Sequence, residues 1–290
     1  KSIHGVPEAW VALGAFLVAG GQGTRLGFDG PKGALEIGPL SKRSLFQLHA
    51  EKILALRRRY GCALPWVVLT STANDEATRA FFQALHFFGL GEESVRFSVQ
   101  ENLAAVDREG RLLLVAPGSL ALNPNGHGGS IKALHESCTT RWLRGQGIDT
   151  LFYFQVDNVL TRICDPVFLG HHLRQGAEMS SKVLRKRDWK EPVGVIGYRE
   201  GRLGVIEYSD LPERLAREAD ERGQLRFWAG SIAIHLLQLD FIERLNQAGF
   251  RLPFHQARKQ VPCVGPEGKP LVLAPGEKNG IKFETFVFDA

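Results

Sequence analysis

The stretch FLVAGGQGTRLGFDGPKG, residues 16–33, begins as an apolar strand and then gives way to glycine: Gly20, Gly21, Gly23, Gly27, Gly30 and Gly33, with Arg25 and Lys32 set among them. A glycine loop directly after a strand can turn backbone N–H groups onto phosphate oxygens, because no Cβ blocks the approach and positive φ is open to it. The spacing argues against two common versions of such a loop. A P-loop needs G-x-x-x-x-G-K-[ST], whereas Lys32 is followed by Gly33 and no Ser or Thr stands ready for magnesium. The dinucleotide fingerprint needs G-x-G-x-x-G. Here Gly21-Gln22-Gly23-Thr24-Arg25-Leu26-Gly27 places the third glycine one residue late and puts a cation where the helix should begin. What remains is a long loop with two cations reaching beyond the glycines. That combination suits nucleotidyl transfer, in which negative charge has to be stabilised on attacking, transferring and departing oxygens together.

Working outward, apolar runs of strand length recur with helical patterns between them: AFLVAG at 15–20, WVVLTS at 66–71, VRFSV at 95–99 and TLFYFQVD at 150–157. Their apolarity is continuous rather than alternating, which predicts strands covered on both faces. SLFQLHAEKILALRRRY carries Leu45, Leu48, Ile53 and Leu56 near helical spacing, NDEATRAFFQAL opens with Asn74 and Asp75 as caps, and SIKALHESC follows a second glycine turn with Ser130 as its N-cap. The βαβα order predicts an α/β fold with a doubly wound sheet. After Asp157, the segments KVLRK, VGVIGYR and LGVIEYS, the last two joined through Glu200-Gly201, predict a hairpin region extending over the substrate, and DFIERLNQAGF returns to helix. Asp165 is the expected cap of DPVFLGHHL. No linker divides the chain, so one catalytic domain over residues 1–290 is expected. The strand-like run FVFDA at its end leads us to expect a natural chain that continues beyond Ala290.

Composition narrows the class. With 44% hydrophobic residues the chain can bury a sizeable core, and a net charge of +5 suits anionic ligands while lying within the range of ordinary enzymes. The runs at Arg57–Arg59 and Arg185–Arg187 lack interleaved aromatics, so no nucleic-acid partner is expected. Cys62, Cys138, Cys164 and Cys263 form no C-x-x-C pair, no apolar run reaches bilayer length, and no signal-peptide layout opens the chain. The expectation is a cytoplasmic enzyme with reduced thiols and no membrane partner. Nothing in the sequence speaks to oligomeric state.

AGGQGTRLG followed by PKG resembles the signature of the eukaryotic-type UDP-sugar pyrophosphorylases, most of all the branch that uses N-acetylglucosamine 1-phosphate. SLFQLHAEKI, NPNGHGGSIKAL, VDN at 156–158, EPVGVI at 191–196, VIEYSD at 205–210 and NGIKFETFVFD at 279–289 are similar to that family's segments and stand in its order. The resemblance implies a Rossmann-like mixed sheet of the nucleotidyltransferase (glycosyltransferase A-like) type with a β-hairpin sugar-binding extension. A nucleotide-binding half would cover about residues 1–160 and a sugar-binding half about 161–290. It implies Mg²⁺-dependent transfer of uridylate from UTP to a sugar 1-phosphate. N-acetylglucosamine 1-phosphate is the first choice of acceptor and glucose 1-phosphate, or a broader set of hexose 1-phosphates, the second. A nucleotide-sugar-binding protein without catalysis is the alternative of another class. A UDP-sugar-consuming glycosyltransferase would be expected to show a D-x-D motif, and DGP and DWK are the nearest segments.

Residue by residue, the same resemblance implies that Val18, Ala19, Gly20 and Gly21 carry the nucleotide, that Arg25, Lys32 and Lys282 supply the cations of catalysis, and that Gln100, Gly126 and His127 meet the uracil. His127 stands where the N-acetylglucosamine enzymes carry Asn and the UDP-glucose enzymes His. Asp157 ends an apolar strand at the edge where ligands of open α/β sheets bind, and a carboxylate there suits a hard cation bridging phosphates. The resemblance makes it the Mg²⁺ and nucleotide ligand. Gly194, Glu207 and Ser231 would contact the sugar. The family carries asparagines where this chain has Trp228 and Ser231, whereas EYS at 207–209 matches the N-acetylhexosamine branch.

Overall fold

The computed structural model describes residues 12–23, 26–199, 201–208, 210–247, 249–274 and 276–290. Strands β1 (Leu13–Val18), β2 (Trp66–Ser71) and β3 (Val95–Gln100) are joined by helices α1 (Leu45–Tyr60) and α2 (Asp75–Ala84). Helices α3 (Gly129–Glu136) and α4 (Thr139–Arg144) lead to β4 (Thr150–Gln155), and α5 (Pro166–Gln175) to β5 (Met179–Arg185). The hairpin β6 (Val195–Arg199) and β7 (Arg202–Ile206) follows, then the long β8 (Ala229–Gln238), α6 (Leu239–Gln247), and a separate antiparallel pair, β9 (His255–Lys259) with β10 (Gly280–Glu284).

An eight-stranded sheet runs β7-β6-β8-β4-β1-β2-β3, with β5 paired to β8. β1 is parallel to β2 and to β4, and β2 is parallel to β3, whereas β4–β8, β8–β5, β8–β6 and β6–β7 are antiparallel. The result is a mixed doubly wound sheet, as the strand runs predicted, and the hairpin joins the main sheet through β8.

Side-chain alternation along β1 separates two cores. Leu13, Ala15 and Leu17 face one side with Leu45, Phe46, Ile53, Trp66 and Phe82, whereas Phe16 faces the other with Ile131, Leu134, Tyr153 and Ile242. Trp66 packs on Phe82 at 5.3 Å between ring centroids, and Phe16 meets Tyr153 edge-on at 5.4 Å. Full burial of each such ring contributes on the order of 2–3 kcal/mol, enough to dominate the local preferences of the loops between them. Gly33 fixes how the glycine loop meets α1: a Cβ there would lie 2.2 Å from the Phe46 ring.

Helix α1 starts at Ser44, whose hydroxyl accepts from Gln47 N at 3.2 Å, and stops at Gly61 in the left-handed conformation. The arginine run in its last turn has structural partners, since Arg57 donates to the carbonyls of Leu90 and Leu64 at 2.8 and 3.1 Å. Asp165 caps α5 as expected, accepting from Val167 N at 3.1 Å. Three local expectations are corrected. Asn74 precedes α2 but its side chain makes no cap bond, because it is drawn to the glycine loop instead. Ser130 lies inside α3 and donates to His127 O at 2.6 Å, leaving Gly128 at the cap position. The run FVFDA includes a 3-10 turn at Val287–Asp289 rather than a strand, since its apolar side chains fill two separate neighbourhoods: Val287 in the second core and Phe286 and Phe288 against His127. Among the described residues, no helix is long and apolar enough to cross a membrane.

Candidate active site

The carboxyl ends of β1, β2, β3 and β4 meet at one edge, and the sheet order reverses on either side of β1, the place where open α/β sheets bind ligands. The glycine loop leaves β1 here. Ala19 N donates to Leu69 O at 2.9 Å, Lys32 N to Gly21 O at 3.1 Å and Gly23 N to Gly30 O at 2.9 Å, so the loop folds back on itself and returns Lys32 to the end of β1. Arg25 lies outside the described residues.

Lys32 Nζ and Asp157 Oδ2 are 2.9 Å apart, which brings together the two charged groups that the sequence places 125 positions apart. Both remain partly open to solvent, with 28% and 49% of their side-chain surfaces exposed, so the pair is reachable by a ligand. The segment bearing Asp157 is held from behind by α1. Fully buried His49 donates from Nε2 to Val156 O at 2.9 Å, and Lys52 donates to the carbonyls of Val159 and Thr161. Burial is the larger cause of the low pKa of His49, about 4, so the ring is neutral at physiological pH and fit to donate one N–H.

Gln100 ends β3 against this loop, and a Cβ on Gly20 would lie 3.0 Å from its Nε2. Gln100 is 4% exposed and its Oε1 has no hydrogen-bond partner among the described residues, an acceptor left for a ligand or water. The turn at Gly126-His127-Gly128 closes against the C-terminal segment. Gly126 has φ +52°, and a Cβ on it would lie 2.4 Å from Thr285 O; Gly128 N donates to that same oxygen at 2.7 Å. His127 Nδ1 accepts from Val287 N at 3.1 Å, with its ring packed on Phe286, Phe288 and Tyr153. Burial, and then the neighbouring His255, push its pKa down to about 4. The side chain of His127 is thereby engaged with the protein itself.

On the far side of β4, the register His235↔Tyr153 to Gln238↔Thr150 runs β8 backwards along it, so Ala229 to Ser231 emerge at the edge where Asp157 follows β4. A bulge between Ser231 and Ile234, with Ala233 at φ +52°, turns the strand there. Ser231 N donates to Gly194 O at 2.8 Å, and a Cβ on Gly194 would lie 2.9 Å from Glu207 Oε1, so Gly194, Glu207 and Ser231 form one cluster. Burial, then the charge of Asp210, raise the pKa of Glu207; Asp289 and Glu284 add to this while His255 opposes it. His255 Nε2 lies 2.9 Å from Asp289 Oδ2. Lys282 stands on β10 opposite Ala257, on the same strand face as Glu284. Trp228 is turned to the surface beneath Arg185.

This architecture matches known proteins along nearly its whole length. The family model described as UTP--glucose-1-phosphate uridylyltransferase matches residues 11–286. The chain belongs to this family. It is 40% identical over 283 residues to the UDP-N-acetylglucosamine pyrophosphorylase of Saccharomyces cerevisiae, covering 96% of this chain and 59% of that protein. It is 37% identical over 295 residues to UDP-N-acetylglucosamine diphosphorylase 1 of Arabidopsis thaliana, covering 96% and 56%. The crystal structure of the uridine diphosphate N-acetylglucosamine pyrophosphorylase of Trypanosoma brucei in complex with inhibitor superimposes with a TM-score of 0.83 at 31% identity, over 96% of this chain and 55% of that one. The chain thus spans a little over half the length of these relatives.

Sequence reasoning missed His49, Ser71 and Asn74. His49 reads as one polar residue on the buried face of a helix. Ser71 and Asn74 read as a strand end and a helix cap, and nothing at those positions announces that they reach the carbonyls of a loop more than fifty residues earlier.

Proposed function

We propose that this chain catalyses uridylyl transfer from UTP to N-acetylglucosamine 1-phosphate, giving UDP-N-acetylglucosamine and pyrophosphate. The observation that carries the reading is the β4–β8 register: it delivers the Gly194–Glu207–Ser231 cluster to the edge that holds the glycine loop and the Lys32–Asp157 pair. The four nucleotide-side strands and the β5–β8 extension would then be the nucleotide-binding and sugar-binding halves of one domain.

An oxygen of the sugar phosphate attacks the α-phosphorus of UTP, the bond from that phosphorus to the bridging oxygen breaks, and the electron pair leaves with pyrophosphate. No proton has to move and no covalent enzyme intermediate forms, so acceleration comes from alignment and charge neutralisation. Lys32 neutralises charge on the α-phosphate, Lys282 holds the attacking phosphate, and Arg25 steadies the departing pyrophosphate. Val18 to Gly21 carry the nucleotide on backbone amides; Gln100, Gly126 and the backbone at His127 hold the uracil. Glu207 accepts hydrogen bonds from sugar hydroxyls, with Gly194 and Ser231 shaping the ring site.

No trio of His, Cys, Asp or Glu gathers among the described residues to cage a metal. Magnesium held by one carboxylate and substrate phosphates needs no cage, and the half-open Asp157 carboxylate at the phosphate loop fits that role. When bound, Mg²⁺ would neutralise phosphate charge beside Lys32.

The short side chain of Ser231 favours a second reading, with glucose 1-phosphate as acceptor. Pyrophosphate release from UTP and Mg²⁺ with a panel of sugar 1-phosphates separates the two. The account expects the highest kcat/KM with N-acetylglucosamine 1-phosphate; a higher value with glucose 1-phosphate would select the second reading. No release with any of these sugar phosphates would instead support binding without catalysis.

A further inference from the structure

Three consecutive carbonyls of the glycine loop are tied down on one side. Asn74 Nδ2 donates to Ala19 O at 2.9 Å and to Gly21 O at 3.2 Å, and Ser71 Oγ donates to Gly20 O at 2.8 Å. The amide of Asn74 is itself fixed, since its Oδ1 accepts from Ser71 N at 2.8 Å, and both residues are buried, Ser71 fully and Asn74 at 2% exposure. In a trans peptide the C=O of one residue and the N–H of the next point in opposite directions. Holding the carbonyls of residues 19, 20 and 21 toward β2 therefore turns the N–H groups of Gly20, Gly21 and Gln22 the other way. Those three N–H groups have no hydrogen-bond acceptor among the described residues. The ideal Cβ direction of Gly21 points toward Lys32, 3.7 Å from its Cε, so the outward face of the loop also carries the cation paired with Asp157.

From this arrangement we infer that Asn74, assisted by Ser71, is the positioning residue that builds the phosphate cradle: it touches no substrate, and it sets the direction of the N–H groups that do. The inference rests on the nucleotide-binding part of the proposed function. A loop of glycines has too many accessible backbone states to hold three aligned donors unaided; the Lys32 N bond fixes Gly21 O from within the loop, and the two side chains from the end of β2 fix Ala19 O and Gly20 O and add a second bond to Gly21 O. Local capping of α2 would have been the default use of an asparagine at this position, and the structure spends it on the loop instead.

The test is Asn74→Asp, which keeps the acceptor for Ser71 N but places a carboxylate oxygen where the amide nitrogen now donates to two carbonyls. Affinities for UTP and for uridine are measured by calorimetry and ligand-observed NMR, alongside the melting temperature. The expected result is a loss of UTP affinity of about tenfold or more, with uridine affinity held within about twofold, because only phosphates meet the cradle. Unchanged UTP affinity, or equal losses for UTP and uridine, would overturn the inference. If that variant does not fold, Ser71→Ala removes the hydroxyl's bonds to Gly20 O and Asn74 Oδ1 and leaves the Asn74 bonds to Ala19 O and Gly21 O in place. It should weaken UTP about threefold and spare uridine, and unchanged UTP binding would again overturn it. A wild-type protein that binds UTP but releases no pyrophosphate would defeat the proposed reaction and leave the binding comparison to decide the cradle; one that binds no UTP would defeat both.

Discussion

The two sides of the candidate site are built on different principles. On the nucleotide side, the functional surface is mostly backbone, presented by a glycine loop at the ends of parallel strands and steered by side chains buried behind it: Asn74 and Ser71 under the loop, His49 under the Asp157 segment. On the proposed sugar side it is mostly side chain: Glu207 just after a hairpin, Ser231 on a bulged strand and His255 on a separate two-stranded ribbon. Backbone donors bind any phosphate in the right place, so that side defines a reaction. Side chains read particular hydroxyls and acyl groups, so on the proposed function the other side would define which sugar enters.

If this division holds, substitutions on the two sides should fail in different kinetic parameters. The largest effect is expected for Lys32→Met, which should lower kcat/KM for pyrophosphate release by about 10²–10³, the usual cost of removing one transition-state charge partner. Folding should change little, because a partly exposed ion pair stabilises by no more than about 1 kcal/mol. Steady-state kinetics beside a urea titration check both halves of this statement, and comparable losses in the two would break the comparison.

Acid should act through two buried histidines on the nucleotide side. Burial holds the folded-state pKa of His49 and His127 near 4, below the ordinary value of 6.5, so the unfolded chain takes up protons first. Stability is therefore complete above about pH 6.5 and is lost as pH falls toward 4. For the fully buried His49 the loss amounts to about 3 kcal/mol across that window. Unfolding free energies at a series of pH values should show this fall, and His49→Gln should flatten the slope by roughly that amount.

Glu207→Gln sharpens the sugar side. It should raise KM for the sugar 1-phosphate by about tenfold while the KM for UTP stays within about twofold, since one charge-assisted acceptor is exchanged for a neutral one. Equal increases for both substrates would mean that Glu207 organises the whole site. The smallest effect is expected for Ser231→Asn, which offers an added donor and acceptor at the bulge. A shift of a few-fold in kcat/KM ratio toward N-acetylglucosamine 1-phosphate, about 1 kcal/mol, would be measured with the two sugars in parallel.

The same contrast explains what could be read from the sequence. Buried parallel strands announce themselves by uninterrupted apolar runs, and WVVLTS at 66–71 coincides with β2. The glycine loop was legible because backbone chemistry demands glycine in a fixed order, whereas Lys32 and Asp157 were singled out separately and their 2.9 Å pairing left no local pattern. The meeting of Gly194, Glu207 and Ser231 depends on the antiparallel register of β8 and on a bulge, neither of which leaves a local pattern. Asn74 was misread because a cap and a tertiary latch use the same side chain at the same place. His127 was expected at the uracil from the family resemblance, and the bond its Nδ1 accepts from Val287 N, 160 residues away, could not be read from the sequence.

The central claim is that both sides serve one transfer reaction. Phosphorus-31 NMR of the protein with UTP, N-acetylglucosamine 1-phosphate and Mg²⁺ tests it most directly. The account predicts loss of the UTP signals with equal accumulation of a sugar-linked diphosphate and pyrophosphate, and no such change with Lys32→Met over the same period. UTP that binds the wild-type protein yet remains intact beside the sugar phosphate would contradict it.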